Sequence, residues 1–187
     1  YLFDGDPHIP LRDFPPFARA RDTTLTLSAD PAVLRPLFGT AVQLSGLAFR
    51  ATLVTRPFGT DTMPAQAYPF VHILRTHRAV CLKEYVVAVR RTSSQTRHHP
   101  EIYAVSPTAS WLRLVETVFP EPAYATLRRA CRRLLARNDL GLLQLRNYGS
   151  LRLTLREITV MVRADPGNLL RPRYWVFALT TILAPPA

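Results

Sequence analysis

LRLTLREITVMVRADPGNLLRPRYWVFALTTILAPPA, residues 151–187, is the stretch whose reading decides the fold. LRLTLREITVMVRA (151–164) alternates apolar and polar residues at its start. It then becomes rich in β-branched side chains (Ile158, Thr159, Val160, Val162), which suit a pleated strand. DPGN (165–168) has turn chemistry. RYWVFALTTILA (173–184) is apolar at odd and even positions alike, as expected of a strand in a sheet covered on both faces. Together these segments predict a long antiparallel hairpin, closed by the prolines of APPA.

The same reading works outward. Residues 1–22 are proline-rich and aperiodic, and predict an extended arm ahead of one domain over 23–187. TTLTLSA (23–29), VQLSGLAFRATLVTRP (42–57), FVHILRT (70–76), AVCLKEYVVAVRRT (79–92) and IYAV (102–105) predict strands. Three segments predict helices instead. Asp30 is a capping residue before Pro31, Val33, Leu34 and Leu37 share a face, and Gly39 is a stop. Ser106 caps Pro107, and Trp111, Leu112, Val115, Val118 and Phe119 form a stripe, broken by Pro120 and Pro122. A further helix runs from about Pro122 to Asn138. Strands at both ends with helices between them predict a mainly β fold: an antiparallel β-sandwich, jelly-roll-like, with two or three helices inserted in inter-strand connections.

Charge is the strongest compositional signal. Lys and Arg total 24 against 13 Asp and Glu, for a formal net charge of +11. Lys83 is the sole lysine. A balance this basic points to polyanions, nucleic acid first and an anionic membrane surface second. Arginine adds a planar fork that matches phosphate. The densest run is TLRRACRRLLAR (126–137). At about 100° per residue, Leu127, Cys131, Leu134 and Leu135 span an apolar arc of roughly 100°. Arg128, Arg129, Arg132, Arg133 and Arg137 cover the other side as one strip, and are the candidate nucleic-acid or polyanion-binding residues. A solvated helix normally interleaves glutamates four residues from its arginines, and Asp139 is the one acid between Pro122 and Arg156.

Motifs for chemistry are missing. No GxGxxG, GxxxxGK[ST] or GxSxG pattern occurs. Cys81 and Cys131 form no CxxC, which implies no disulfide framework and makes a reducing compartment the default. His72 and His77, five apart on a predicted strand, face opposite sides. His98 and His99 read as solvated turn residues, and Asp4 and Asp6 as part of a turn. Glu84 and Glu157 fall in predicted strands among basic neighbours, which suggests ion pairing. The expectation is no enzyme, no catalytic residue, no metal and no cofactor. No apolar run approaches the roughly 18 residues of a transmembrane helix, and no membrane partner is expected. Tyr1 in place of Met implies a piece of something longer.

The stretch LTLSADPAVLRPLFGTAVQLSGLAFRATLVTRP (25–57) resembles a strand–helix–strand passage of the single jelly-roll capsid proteins of small icosahedral viruses. Leu27, Ser28, Asp30 and Pro31 match where the first strand ends. Leu34, Leu37 and Phe38 match the helix, and Leu44, Leu47, Phe49 and Leu53 the second strand. The hairpin of 151–184 with its proline-containing tail is similar to the closing strands of that fold. The resemblance implies a viral coat subunit that self-assembles in many copies and meets viral nucleic acid through nonspecific arginine–phosphate contacts. It implies a place in the virion, and in host cytoplasm or nucleus during assembly. The alternative is a non-enzymatic viral or cellular nucleic-acid-binding or regulatory module, acting as a monomer or small oligomer.

Overall fold

Ser150 does not lead into a strand. Its hydroxyl accepts a hydrogen bond from Leu153 N at 3.2 Å and caps a 14-residue α-helix, Leu151–Ala164. The structure is a computed structural model of the chain, and it describes residues 2–3, 10–12, 21–41, 47–59, 64–83, 89–90 and 104–183.

The described α-helices are α1 (Pro31–Ala41), α2 (Ala67–Ile73), α3 (Pro107–Val118), α4 (Ala125–Leu135), α5 (Leu140–Tyr148), α6 (Leu151–Ala164) and α7 (Pro172–Leu183). The described strands are β1 (Leu2–Phe3), β2 (Pro10–Arg12), β3 (Thr23–Leu25), β4 (Ala79–Cys81) and β5 (Val89–Arg90). The expected mainly β fold, a jelly-roll-like antiparallel β-sandwich, is therefore corrected: the chain is mainly helical.

The physical reason lies in α6 and α7. In a strand, Leu151, Leu153 and Leu155 would share one face. Here Leu153 is buried while Leu151 and Leu155 are exposed. The buried set of α6 is Leu153, Thr154, Glu157 and Met161, the spacing of a helix. In α7 the buried set is Tyr174, Ala178 and Thr181, with Val176 exposed between them. β-branched residues disfavour a helix only by fractions of a kcal/mol each, and packing outweighs that. Asp165, expected to start a hairpin turn, accepts from Gly167 N at 3.2 Å and opens a short 3-10 turn, Pro166–Leu170.

Other expected strands change in the same way. FVHILRT falls largely in α2. VQLSGLAFRATLVTRP contributes a 3-10 turn, Ala51–Leu53, with residues 42–46 outside the described residues. Among the described residues, short pieces of 23–29 and 79–92 are strand, as β3, β4 and β5. The helix starts are as read. Asp30 Oδ1 accepts from Ala32 N at 2.8 Å, and Ser106 Oγ from Ala109 N at 3.0 Å. Gly39 lies within α1 and does not stop it.

Two compact units divide the chain: Tyr1–Thr60 with Ala65–His98, and Asp61–Pro64 with His99–Ala187. In the first, β3 and β4 pair antiparallel, with Thr23 opposite Cys81 and Leu25 opposite Ala79. Asp22 accepts from Lys83 N at 2.9 Å at the end of that pair. Leu34, Leu37, Phe38 and Ala41 of α1 are buried, as are Ala67, Val71 and Ile73 of α2. Gln66 Nε2 donates to Ala41 O at 3.2 Å and joins the start of α2 to the end of α1. Gly59 lies so close to the Tyr68 ring that a Cβ would meet it at 2.3 Å, so a larger residue would have to displace that ring.

In the second unit, α3 packs on α4 and α6, and α5 packs on α6 and α7. Leu142, Met161, Tyr174 and Ala178 form a core, with Ile158, Val162 and Phe177 packed against it. Gly149 ends α5 where a Cβ would meet Leu145 O at 2.7 Å, which lets the chain turn at once into α6. Asn168 donates to Ala136 O at 2.9 Å and Met161 O at 3.1 Å, tying the turn before α7 to the ends of α4 and α6.

Candidate polyanion interface

The five arginines of α4 and its C-terminal turn start from one helix but end in different places. Leu127 and Cys131 bury the apolar arc, with Ala136 behind them. Arg128 turns back and donates from Nη1 to Phe119 O and to Glu121 O, the latter at 2.7 Å. It thereby satisfies Phe119 O, left open where Pro120 and Pro122 end α3, and joins Tyr124 N in bonding Glu121 O. Arg132 Nη2 pairs with Glu116 Oε1 of α3 at 2.9 Å. Arg137 Nε pairs with Asp165 Oδ2 at 2.7 Å, across 28 residues of chain. Arg129 is exposed and, among the described residues, bonds only to Thr126 Oγ1, at 3.2 Å. Arg133 is exposed and makes no ion pair or hydrogen bond among the described residues.

A second set of arginines lies on α6, which the strand reading concealed. Arg152, Arg156 and Arg163 are all exposed and unpaired among the described residues. On a strand Arg163 would face away from the other two. On a helix the three fall within about 40° of one another, along roughly 16 Å of axis. The spacing i, i+4, i+11 is the signal that a helical reading of LRLTLREITVMVRA would have shown.

The carboxylates of this unit turn the other way. Residues 104–183 hold twelve arginines and five carboxylates. Three of the five are buried: Asp139, Glu157 and Asp165. Glu157, expected to ion-pair within a sheet, instead accepts from Ser106 Oγ and from Thr108 N, the latter at 3.0 Å. It so pins α6 to the first turn of α3. Asp139 Oδ2 accepts from Arg171 Nη2 at 3.0 Å and lies 3.4 Å from Arg173 Nε. Arg173 also sits 5.5 Å over the Phe177 ring. Glu121 is half-buried, and exposed Glu116 is the one paired with Arg132. The acids consequently stabilise the bundle and leave arginine to dominate its surface.

Groups that could do covalent or metal chemistry are few. Burial pushes the Cys131 thiol up to about 12, so it stays protonated and inert at neutral pH. Burial, and then the negative charges of Asp139 and Glu157, raise the Tyr174 phenol to about 12. Its hydroxyl donates to Ile158 O at 2.9 Å. In the first unit, burial and then the charges of Arg56 and Arg75 lower His72, which leaves it neutral. His77 Nδ1 lies 2.8 Å from Thr76 Oγ1. Among the described residues no His, Cys, Asp and Glu cluster could hold a metal ion. Glu84, His98, His99, Asp4 and Asp6 lie outside the described residues. No protein-family model, curated protein or solved structure matches the chain.

Proposed function

We propose that the helical unit of residues 104–183 is a non-enzymatic polyanion-binding module whose ligand is nucleic acid, held through its phosphates. One observation carries this reading: five arginines on α4 and α6 (Arg129, Arg133, Arg152, Arg156, Arg163) stand exposed without a carboxylate partner among the described residues, while most of the unit's own acids face inward. An outer surface this basic gathers phosphates and releases counterions, and base sequence matters little to it. No GxGxxG, GxxxxGK[ST] or GxSxG pattern suggests an accompanying catalytic step.

The test is retention of a labelled duplex at stepped salt concentrations. Changing the five arginines to Gln should weaken retention and lower the salt slope by roughly 0.9 for each phosphate no longer neutralised. Retention and slope equal to those of the parent chain would overturn the reading. A self-assembling coat subunit was the first expectation, and the nucleic-acid-binding module its alternative. Part of the coat subunit's support lay in the expected hairpin of 151–184, which is two helices here; the basic charge still speaks for it. Closed particles on size-exclusion chromatography and electron microscopy would restore it.

A further inference from the structure

Helix α7 is apolar on two sides, and the bundle covers one. Tyr174, Ala178 and Thr181 are buried. Trp175, Val176, Leu179 and Leu183 fall within about 100° of arc on another side, and all are exposed. Leu169 and Leu170 of the preceding turn add to them, and Trp175 Nε1 bonds to Leu169 O at 2.9 Å, fastening turn and helix together. The side chains stand well out of the surface: Leu170 is 88% exposed, Leu183 78% and Val176 62%. Exposed Thr180 and Arg173 border this side of α7; beyond them half-buried Phe177 packs with Ile158 and Val162 of α6, which also exposes Leu151 and Leu155. Next on α6 come Arg152, Arg156 and Arg163. Among the described residues no carboxylate is exposed on either helix, because Glu157 points inward.

We infer that the outer side of α7, with the adjoining edge of α6, seats on an anionic lipid surface. The inference goes beyond nucleic-acid binding and does not depend on it. Apolar ridges bordered by cations suit the boundary between headgroups and acyl chains, and a half-exposed tryptophan with a bonded indole N–H is a residue of that boundary. Charge selects this occupant over a second copy of the chain. Two copies would bring arginine borders and a net charge of +11 each together, whereas anionic headgroups neutralise both. Nucleic acid would satisfy the arginines and leave the leucines in water. The contact is peripheral: no described helix is long and apolar enough to cross a membrane.

Co-sedimentation of the intact chain with vesicles tests this. The chain should sediment with vesicles of phosphatidylcholine plus phosphatidylserine and much less with phosphatidylcholine alone. Trp175 emission should shift to the blue, since Trp111 is already buried. Leu179→Glu with Leu183→Glu should weaken sedimentation roughly tenfold for each leucine withdrawn, with helical content retained. The milder pair Leu179→Ser and Leu183→Ser should follow the same direction. Duplex retention by the serine variants should equal the parent's, so lipid and nucleic-acid readings fail separately. Sedimentation unaffected by the substitutions overturns the inference, as does its absence from anionic vesicles. A parent dimer that Leu179→Glu converts to monomer also overturns it, because the face then belongs to a second copy.

Discussion

Helices α4 and α6 carry arginine in opposite manners. On α4 and its C-terminal turn the residues are dense in sequence, five within ten positions, yet three hold the molecule together. On α6 they are sparse, three within twelve positions, and all three face outward unpaired among the described residues. Density along the chain is therefore a poor guide to available charge. What matters is whether a carboxylate or a stranded carbonyl lies within reach of the guanidinium. Asp165 pairs with Arg137, and the end of α3 takes up Arg128.

The contrast breaks most visibly where the acids turn inward. Glu157→Ala leaves Ser106 Oγ and the Thr108 N–H without their acceptor inside the protein, and should cost about 3 kcal/mol in urea unfolding. A loss under about 0.5 kcal/mol would mean that the carboxylate does not tie α6 to α3. Arg137→Gln comes next. It strands mostly buried Asp165 and should cost about 1–2 kcal/mol, moderated because the guanidinium is half in water. Its effect on nucleic-acid retention should be small.

Replacing Arg152, Arg156 and Arg163 by Gln should invert that pattern. Stability should change by no more than about 0.5 kcal/mol, while the salt slope of retention falls by about 2–3. If instead Arg137→Gln lowers the slope as much as the α6 set does, the division between bracing and outward arginines is wrong. Arg132→Gln should have the smallest effect of the bracing set on stability, below about 1 kcal/mol, because both it and Glu116 are exposed.

Alkaline pH sharpens the picture of the core between α6 and α7. Tyr174 titrates near 10 when unfolded and near 12 when folded. The unfolded chain therefore binds fewer protons in that window, and stability should fall as pH rises from about 10 to 12. Cys131 acts in the same direction from about 9 upward. Tyr174→Phe removes the first contribution and should flatten urea midpoints above pH 10, although it also gives up the bond to Ile158 O.

Caps and breakers were legible because their chemistry is local. Asp30, Ser106, Pro120 and Pro122 act on groups within a few residues, and the structure finds their helices where they were expected. The segments after Asp139 were not. Leu151, Leu153 and Leu155 satisfy a two-residue period, while Leu153, Glu157 and Met161 satisfy a helical one. Local pattern offered both readings. A buried glutamate is out of place in either until α3 supplies Ser106 and Thr108 as donors.

The amino-acid sequence by itself determined the excess of arginine over acid, the apolar arc of α4 and the caps at Asp30 and Ser106. These follow from composition and from interactions reaching no further than a turn. Only the tertiary structure decided that 151–183 holds two helices, which arginines stand unpaired among the described residues, and that α7 has an exposed apolar side. Each of those depends on partners remote in the chain: Arg137 meets Asp165, and Glu157 meets Ser106, only after the helices have packed.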